Sequence, residues 1–140
     1  MMNFLKNNPD GKNILVVEDK EHLNKVICEY GQLRKYNTFS ATNGKQALEV
    51  LKDLKNLNIK VDLIITDIMM PQMDGITFLQ FLRNEKEYQD TKIVIVTGSQ
   101  DRREHQHAKR LGVSAFLLKP LTHEKIDQVF DCVFGEQKVA

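Results

Sequence analysis

The sequence predicts an α/β domain, a parallel five-stranded sheet wound on both faces by helices as a (βα)5 sandwich. Three observations carry this expectation. Short apolar runs alternate five times with longer segments of helical period. The first run, residues 14–17 (ILVV), is continuous rather than alternating, as a strand covered on both faces should be. The 140 residues suffice for one core and favour a single domain over two.

Residues 14–17 form the first strand. Leu23, Val26, Ile27, Tyr30 and Leu33 then recur at i, i+3, i+4, i+7 and i+10 as the stripe of an amphipathic helix. Residues 38–42 (TFSAT) make a weaker second strand, ended by Asn43 and Gly44, a pair that suits a turn into a helix because both tolerate positive φ. Ala47, Leu48, Leu51 and Leu54 mark the second helix, and residues 61–66 (VDLIIT) the third strand. A turn-rich segment with Pro71 and Gly75 leads into a third helix carrying Ile76, Phe78, Leu79 and Leu82. Residues 92–97 (KIVIVT) are the fourth and clearest strand. Residues 99–111 read as a polar helix with few apolar anchors, closed by Gly112 at its C′ position. Residues 115–118 (AFLL) are the fifth strand, and Ile126, Val129, Phe130 and Val133 the face of the fifth helix. Right-handed crossovers turn such units into an open doubly wound sheet, most often in the strand order 2-1-3-4-5.

Composition excludes several classes. Twenty Lys+Arg against 19 Asp+Glu leave a net charge of +1, so nothing global argues for a chain that coats nucleic acid. No apolar run approaches the roughly 20 residues of a membrane span. Cys28 and Cys132 lie far apart, without the spacing of a zinc or redox site, and read as buried small side chains of a reduced, cytoplasmic protein. Residues 1–12 are expected to be a polar leader, too poor in apolar residues for a signal peptide, and 136–140 a short tail.

In doubly wound sheets ligands bind outside the carboxyl ends of the strands. Glu18 and Asp19 follow strand 1, Asp67 follows strand 3, Thr97 ends strand 4, and Lys119 with Pro120 follows strand 5. Strands 1 and 3 are neighbours in the expected order, so the three acids should crowd together. Two carboxylates about 4 Å apart repel by about 4 kcal/mol at an effective dielectric near 20, so such a cluster calls for a cation. An all-oxygen site of this kind suits Mg2+ together with a phosphate. Lys119 adds a fixed positive charge and Thr97 a hydroxyl.

In this chain order the residues resemble the receiver domains of bacterial two-component response regulators, a flavodoxin-like family. The resemblance spans roughly residues 13–135 and rests on Glu18 and Asp19; on Asp67, Ile68, Met69, Met70 and Pro71 with Met73, Asp74 and Gly75; on Thr97 and Gly98; and on Lys119 and Pro120. It implies that Asp67 is a phosphoacceptor that receives a phosphoryl group from a sensor histidine kinase or a histidine phosphotransfer protein. It implies Mg2+ held by Glu18, Asp19, Asp67 and the backbone carbonyl of Met69, with Lys119 neutralising the phosphoryl charge. Thr97 would bind a phosphoryl oxygen and Phe116 would occupy the aromatic switch position, where Tyr or His is commoner. Gly98 would leave space above the phosphorylated carboxylate. Helix 4, strand 5 and helix 5 would form the signalling face for a downstream protein, the chain being a monomer or a weak phosphorylation-dependent dimer. No effector domain fits after the fifth helix, so a complete chain would act alone, by protein contact or relay, without direct nucleic-acid or membrane binding.

Each residue also has a plainer reading. Asp67, Glu18 and Asp19 could cap helices, Lys119 could end a strand, and Thr97 could be a strand former; their joint occurrence in this order argues otherwise. His105 and His107, spaced i, i+2, do not share a helix face and read as solvated, within a basic run that includes Arg102, Arg103, Lys109 and Arg110. His22 and His123 read as surface residues. A haloacid-dehalogenase-like hydrolase would place a second Asp where Met69 stands, and a flavodoxin would need a hydroxyl-rich phosphate loop after strand 1. A degenerate receiver, docking without phosphorylation, is opposed by the complete set of acids, Thr97 and Lys119.

Overall fold

A computed structural model describes residues 8–135. Among them the elements run β1 (Asn13–Val17), α1 (Glu21–Leu33), β2 (Asn37–Ala41), α2 (Gly44–Asn56), β3 (Leu63–Thr66), α3 (Gly75–Asn84), β4 (Lys92–Thr97), α4 (Arg102–Arg110), β5 (Ala115–Leu118) and α5 (His123–Phe134), with one 3-10 turn at Lys86–Tyr88. The sheet order is β2-β1-β3-β4-β5 and every pairing is parallel. The expected doubly wound sandwich is the observed fold. No helix among the described residues is long and apolar enough to cross a membrane.

Strand periodicity divides the core in two, because successive side chains point to opposite faces. Leu15, Val17, Ile64, Ile93 and Ile95 pack with Leu51, Leu54, Phe78, Leu79 and Leu82 of α2 and α3 on one face. Ile14, Val16, Leu63, Val94 and Val96 pack with Ile27 of α1 and Ile126, Val129 and Phe130 of α5 on the other. Each such side chain, fully buried, contributes about 1.5–3 kcal/mol relative to exposure. Arg34 ties α1 to α5 through Asp131 at 2.8 Å and Asp127 at 3.2 Å, its guanidinium lying 5.4 Å from the Phe130 ring centre. The helix α4 buries only Ala108, as its polar sequence predicts.

Several local expectations change. The buried stripe of α1 is Asn24, Ile27 and Gly31, while Leu33 is exposed. Gly31 takes the core position because a Cβ there would come within 2.8 Å of Thr38 Cγ2 on β2. Asn43 leads into α2 as expected, but with an extended backbone (φ −160°) instead of a positive φ, and caps the helix by accepting from the Gln46 N–H at 2.8 Å. The third strand begins two residues late. Asp62 exchanges two bonds with Asn13, its carboxylate accepting from the Asn13 N–H (2.8 Å) and its own N–H donating to Asn13 O (2.8 Å). Residues 1–7 of the expected leader and the tail 136–140 lie outside the described residues. Asn8, within that leader, is held to β2 by two bonds with Asn37, of 2.6 and 2.7 Å.

The cysteines also part company. Cys28 is half-buried and burial pushes its thiol up to about 11, whereas Cys132 is exposed, contrary to the buried reading of both. A raised pKa keeps Cys28 protonated and unreactive at pH 8. With Ellman's reagent at that pH, one thiol per native chain should react promptly and the second only after denaturation. Two fast thiols would contradict the packing of α1.

Candidate functional site

The parallel ladder continues beyond the strands and aligns the ends of β2, β1 and β3: the Glu18 N–H donates to Ala41 O of β2 (3.0 Å) and the Asp67 N–H to Val17 O of β1 (3.1 Å). This buries Glu18 and Asp67 and leaves Asp19 exposed. Carboxylate oxygens of the three acids lie within 4.8 Å of one another. Asn24 on α1 steadies the loop beneath them, its amide donating to Glu18 O (3.1 Å) and Ala41 O (3.0 Å). Sequence reasoning missed Asn24, which occupies a buried position in an otherwise apolar stripe.

Asp67 is held on both carboxylate oxygens. Its Oδ1 accepts from the backbone N–H groups of Ile68 (2.7 Å) and Met69 (3.2 Å), and its Oδ2 from Lys119 Nζ (2.7 Å). The same ammonium lies 2.7 Å from Glu18 Oε1. Lys119 arrives there because its own N–H donates to Thr97 O (2.8 Å), extending the β4–β5 ladder by one rung. Burial disfavours the Lys119 charge, but the bonds to Asp67 and Glu18 outweigh it and hold the ammonium above its ordinary pKa. Burial raises the Glu18 carboxyl, opposed by its bond to Lys119.

Three acids against one ammonium leave this corner negative, within a chain whose overall charge is only +1. Two carboxylates 4.8 Å apart repel by about 3 kcal/mol at an effective dielectric near 20. The hard oxygen donors and the surplus negative charge fit a divalent cation such as Mg2+. Beside them opens a cleft of about 460 Å³, walled by Asp19, Met69, Met70, Pro71, Asp74 and Glu104. Met69 lies at its rim with an exposed side chain.

Thr97 is fully buried at the end of β4, and its hydroxyl accepts from the Ser99 N–H at 3.1 Å. A Cβ at Gly98 would meet nothing within 4 Å and would stand in open space. Gly75 is different. Its N–H donates to Ile68 O at 2.7 Å, and a Cβ would stand 2.1 Å from Asp67 O. The sequence marks Gly75 as a turn residue; the fold uses it to let α3 start against the backbone of Asp67. Phe116 is half-buried on β5 and stacks on His105, ring centroids 4.3 Å apart. Neither His105 nor His107 is merely solvated: His105 Nε2 bonds Ser99 O (2.8 Å) and His107 Nε2 bonds Gln80 Nε2 (2.9 Å). Their i, i+2 spacing gives no hint of this, since each bonds a different partner.

Residues 14–131 match the family model of the response regulator receiver domain. The chain is 32% identical over 126 residues to the "Probable chemotaxis protein CheY" of Rhizobium etli, covering 89% of this chain and 94% of that one. It is 31% identical to the Regulator of RpoS of Escherichia coli, again over 89% of this chain but only 35% of that longer protein. The solved chemotaxis response regulator CheY4 of Vibrio cholerae superposes with a TM-score of 0.77 at 26% identity, covering 88% of this chain and 98% of that one. With the strand order and the acids at its carboxyl edge, these likenesses establish that the chain belongs to the response regulator receiver domains of two-component signalling systems.

Proposed function

We propose that this receiver domain is a phosphorylation-controlled switch in which Asp67 takes a phosphoryl group from a phosphohistidine on a sensor histidine kinase or a histidine phosphotransfer protein. The observation that carries the reading is the Asp67 carboxylate, 5% exposed, fixed by two backbone amides and bonded to Lys119 beside two further acids. Anchoring of Oδ1 by Ile68 and Met69 leaves Oδ2 to attack phosphorus. The new P–O bond forms as the P–N bond breaks, and the imidazole leaves with its electron pair and takes up a proton. Lys119, released from Oδ2, follows the charge onto a phosphoryl oxygen. Glu18, Asp19, Asp67 and the Met69 carbonyl would hold Mg2+, which when bound neutralises phosphoryl charge. Thr97 accepts from Ser99 and keeps its own O–H to donate to a phosphoryl oxygen.

The protein is on this reading a cytoplasmic signalling switch that catalyses only its own phosphorylation and dephosphorylation. Its output face would be α4, β5 and α5. The exposed residues Arg102, Arg103, Gln106, Lys109 and Arg110 give α4 a basic outer surface for a downstream protein partner. The domain would be a monomer or a weak phosphorylation-dependent dimer.

Incubation with Mg2+ and acetyl phosphate or phosphoramidate should raise the intact mass by one phosphoryl group, and Asp67→Asn should abolish the gain. Persistent labelling of Asp67→Asn, or an inert wild type across donors, would overturn the assignment.

A further inference from the structure

Ser99 is the hub between the candidate site and α4. Its N–H donates to Thr97 Oγ1 (3.1 Å), its hydroxyl donates to Glu104 Oε1 (2.6 Å) and accepts from the Asp101 N–H (3.2 Å), and its carbonyl meets His105 Nε2 at 2.8 Å. The last contact needs the proton on Nε2, so His105 is the donor. The face of the same imidazole lies on Phe116, with centroids 4.3 Å apart and planes tilted by 34°. The Phe116 side chain has no polar atom, so its ring, as distinct from its backbone in the β4–β5 ladder, can follow events at Thr97 only through what packs against it. His105 has both a polar edge and an aromatic face. The imidazole is planar, so a shift of the Ser99 carbonyl that keeps this bond turns the ring on which Phe116 rests. The helix that carries His105 is anchored by one buried side chain, Ala108, so it yields at low cost.

We propose that His105 is a positioning residue that couples the Thr97–Ser99 end of β4 to Phe116, supplying the hydrogen-bonding edge that a phenylalanine at this position lacks. Its biological use rests on the phosphoacceptor reading above, but the coupling exists in the unphosphorylated protein and is measurable there. Displacement of Ser99 turns His105, and His105 carries the displacement to Phe116 and the exposed end of β5.

The test follows the aromatic NMR signals of Phe116, assigned with a Phe116→Leu variant, while the far end of the chain of contacts is perturbed by Thr97→Val. That substitution removes the acceptor of the Ser99 N–H. In the native background the Phe116 ring signals should move. In His105→Phe, which keeps a ring against Phe116 but loses the bond to Ser99, the movement should fall several-fold. In His105→Gln, which keeps a donor but no ring, it should fall likewise. Equal movement with and without the imidazole, or none in the native background, would overturn the coupling. If His105→Phe fails to fold, by circular dichroism and thermal midpoint, His105→Gln decides alone. Beryllofluoride with Mg2+ separates the two readings. Silence at Thr97 with beryllofluoride would sink the phosphoacceptor reading, while the Thr97→Val comparison still upholds or overturns the role of His105.

Discussion

Lys119→Met is expected to destabilise the metal-free protein by about 3 kcal/mol near neutral pH and to abolish phosphoryl uptake. The ammonium sits 2.7 Å from both Glu18 and Asp67, whose side chains are 2% and 5% exposed, and is itself 18% exposed. Methionine keeps the apolar stem and removes only the charge, leaving two buried carboxylates without their cation. Removing one partner of a buried pair costs about 3–5 kcal/mol, and the low end applies because Glu18 can relieve the strain by taking up a proton. The pH dependence follows from the two shifts. Lys119 is raised, so its contribution is complete below the ordinary lysine value of 10.5 and is lost only as pH rises through its folded value. Glu18 is raised above 4.5, so on acidification it becomes neutral earlier than a free glutamate and no longer needs a counter-charge. The gap between wild type and variant should therefore be widest at neutral to mildly alkaline pH and should shrink on acidification. Urea unfolding at several pH values measures it, and equal stability at pH 7.5 would contradict the counter-charge role. Added Mg2+ should narrow the gap, since a cation that binds the folded acids stabilises by mass action and binds more tightly where no ammonium competes for Glu18 and Asp67.

Gly75→Ala is expected to lower stability by about 3 kcal/mol or more, against the sign that helix propensity predicts. At an unobstructed helical site the same change gains about 0.5–1 kcal/mol. Here the added Cβ would lie 2.1 Å from Asp67 O and 2.8 Å from Ile68 Cα, and both are backbone atoms with no rotamer to retreat into. The start of α3 or the end of β3 must move, and the Asp67 carboxylate moves with the latter. A folded remnant should therefore also label poorly with phosphodonors. Gly98→Ala serves as the comparison, since nothing lies within 4 Å of its Cβ, and its effect should stay within about 0.5 kcal/mol. Similar unfolding midpoints for the two variants would show that the close approach of Gly75 is not needed.

Much of this molecule is legible in one dimension. The fourth and fifth strands fall at Lys92–Thr97 and Ala115–Leu118, on the expected runs, because a continuous apolar stretch suits a strand of a helix-covered sheet, fully buried over Ile93–Val96 and partly buried in β5 at the sheet edge. The strand-end positions of Asp19, Asp67, Thr97 and Lys119 are equally plain, since a doubly wound sheet places successive strand ends along one edge. Other residues took their roles from neighbours distant in sequence. Leu33 fits the helical stripe and is exposed, while Gly31 is buried because β2 passes close by. Asn43 reads as a positive-φ turn into α2, and only its bond to Gln46 shows it as an extended cap. Gly75 is required by the backbone of Asp67, and His105 is defined by Ser99 and by Phe116 on another element. Periodicity and chain order are local properties, so the sequence by itself determined the element types, the sheet edge and the residues arrayed along it. Close approach, capping and ring contact depend on which segments meet in space, so the tertiary structure alone decided how Lys119 grips two acids and how α4 is joined to the site.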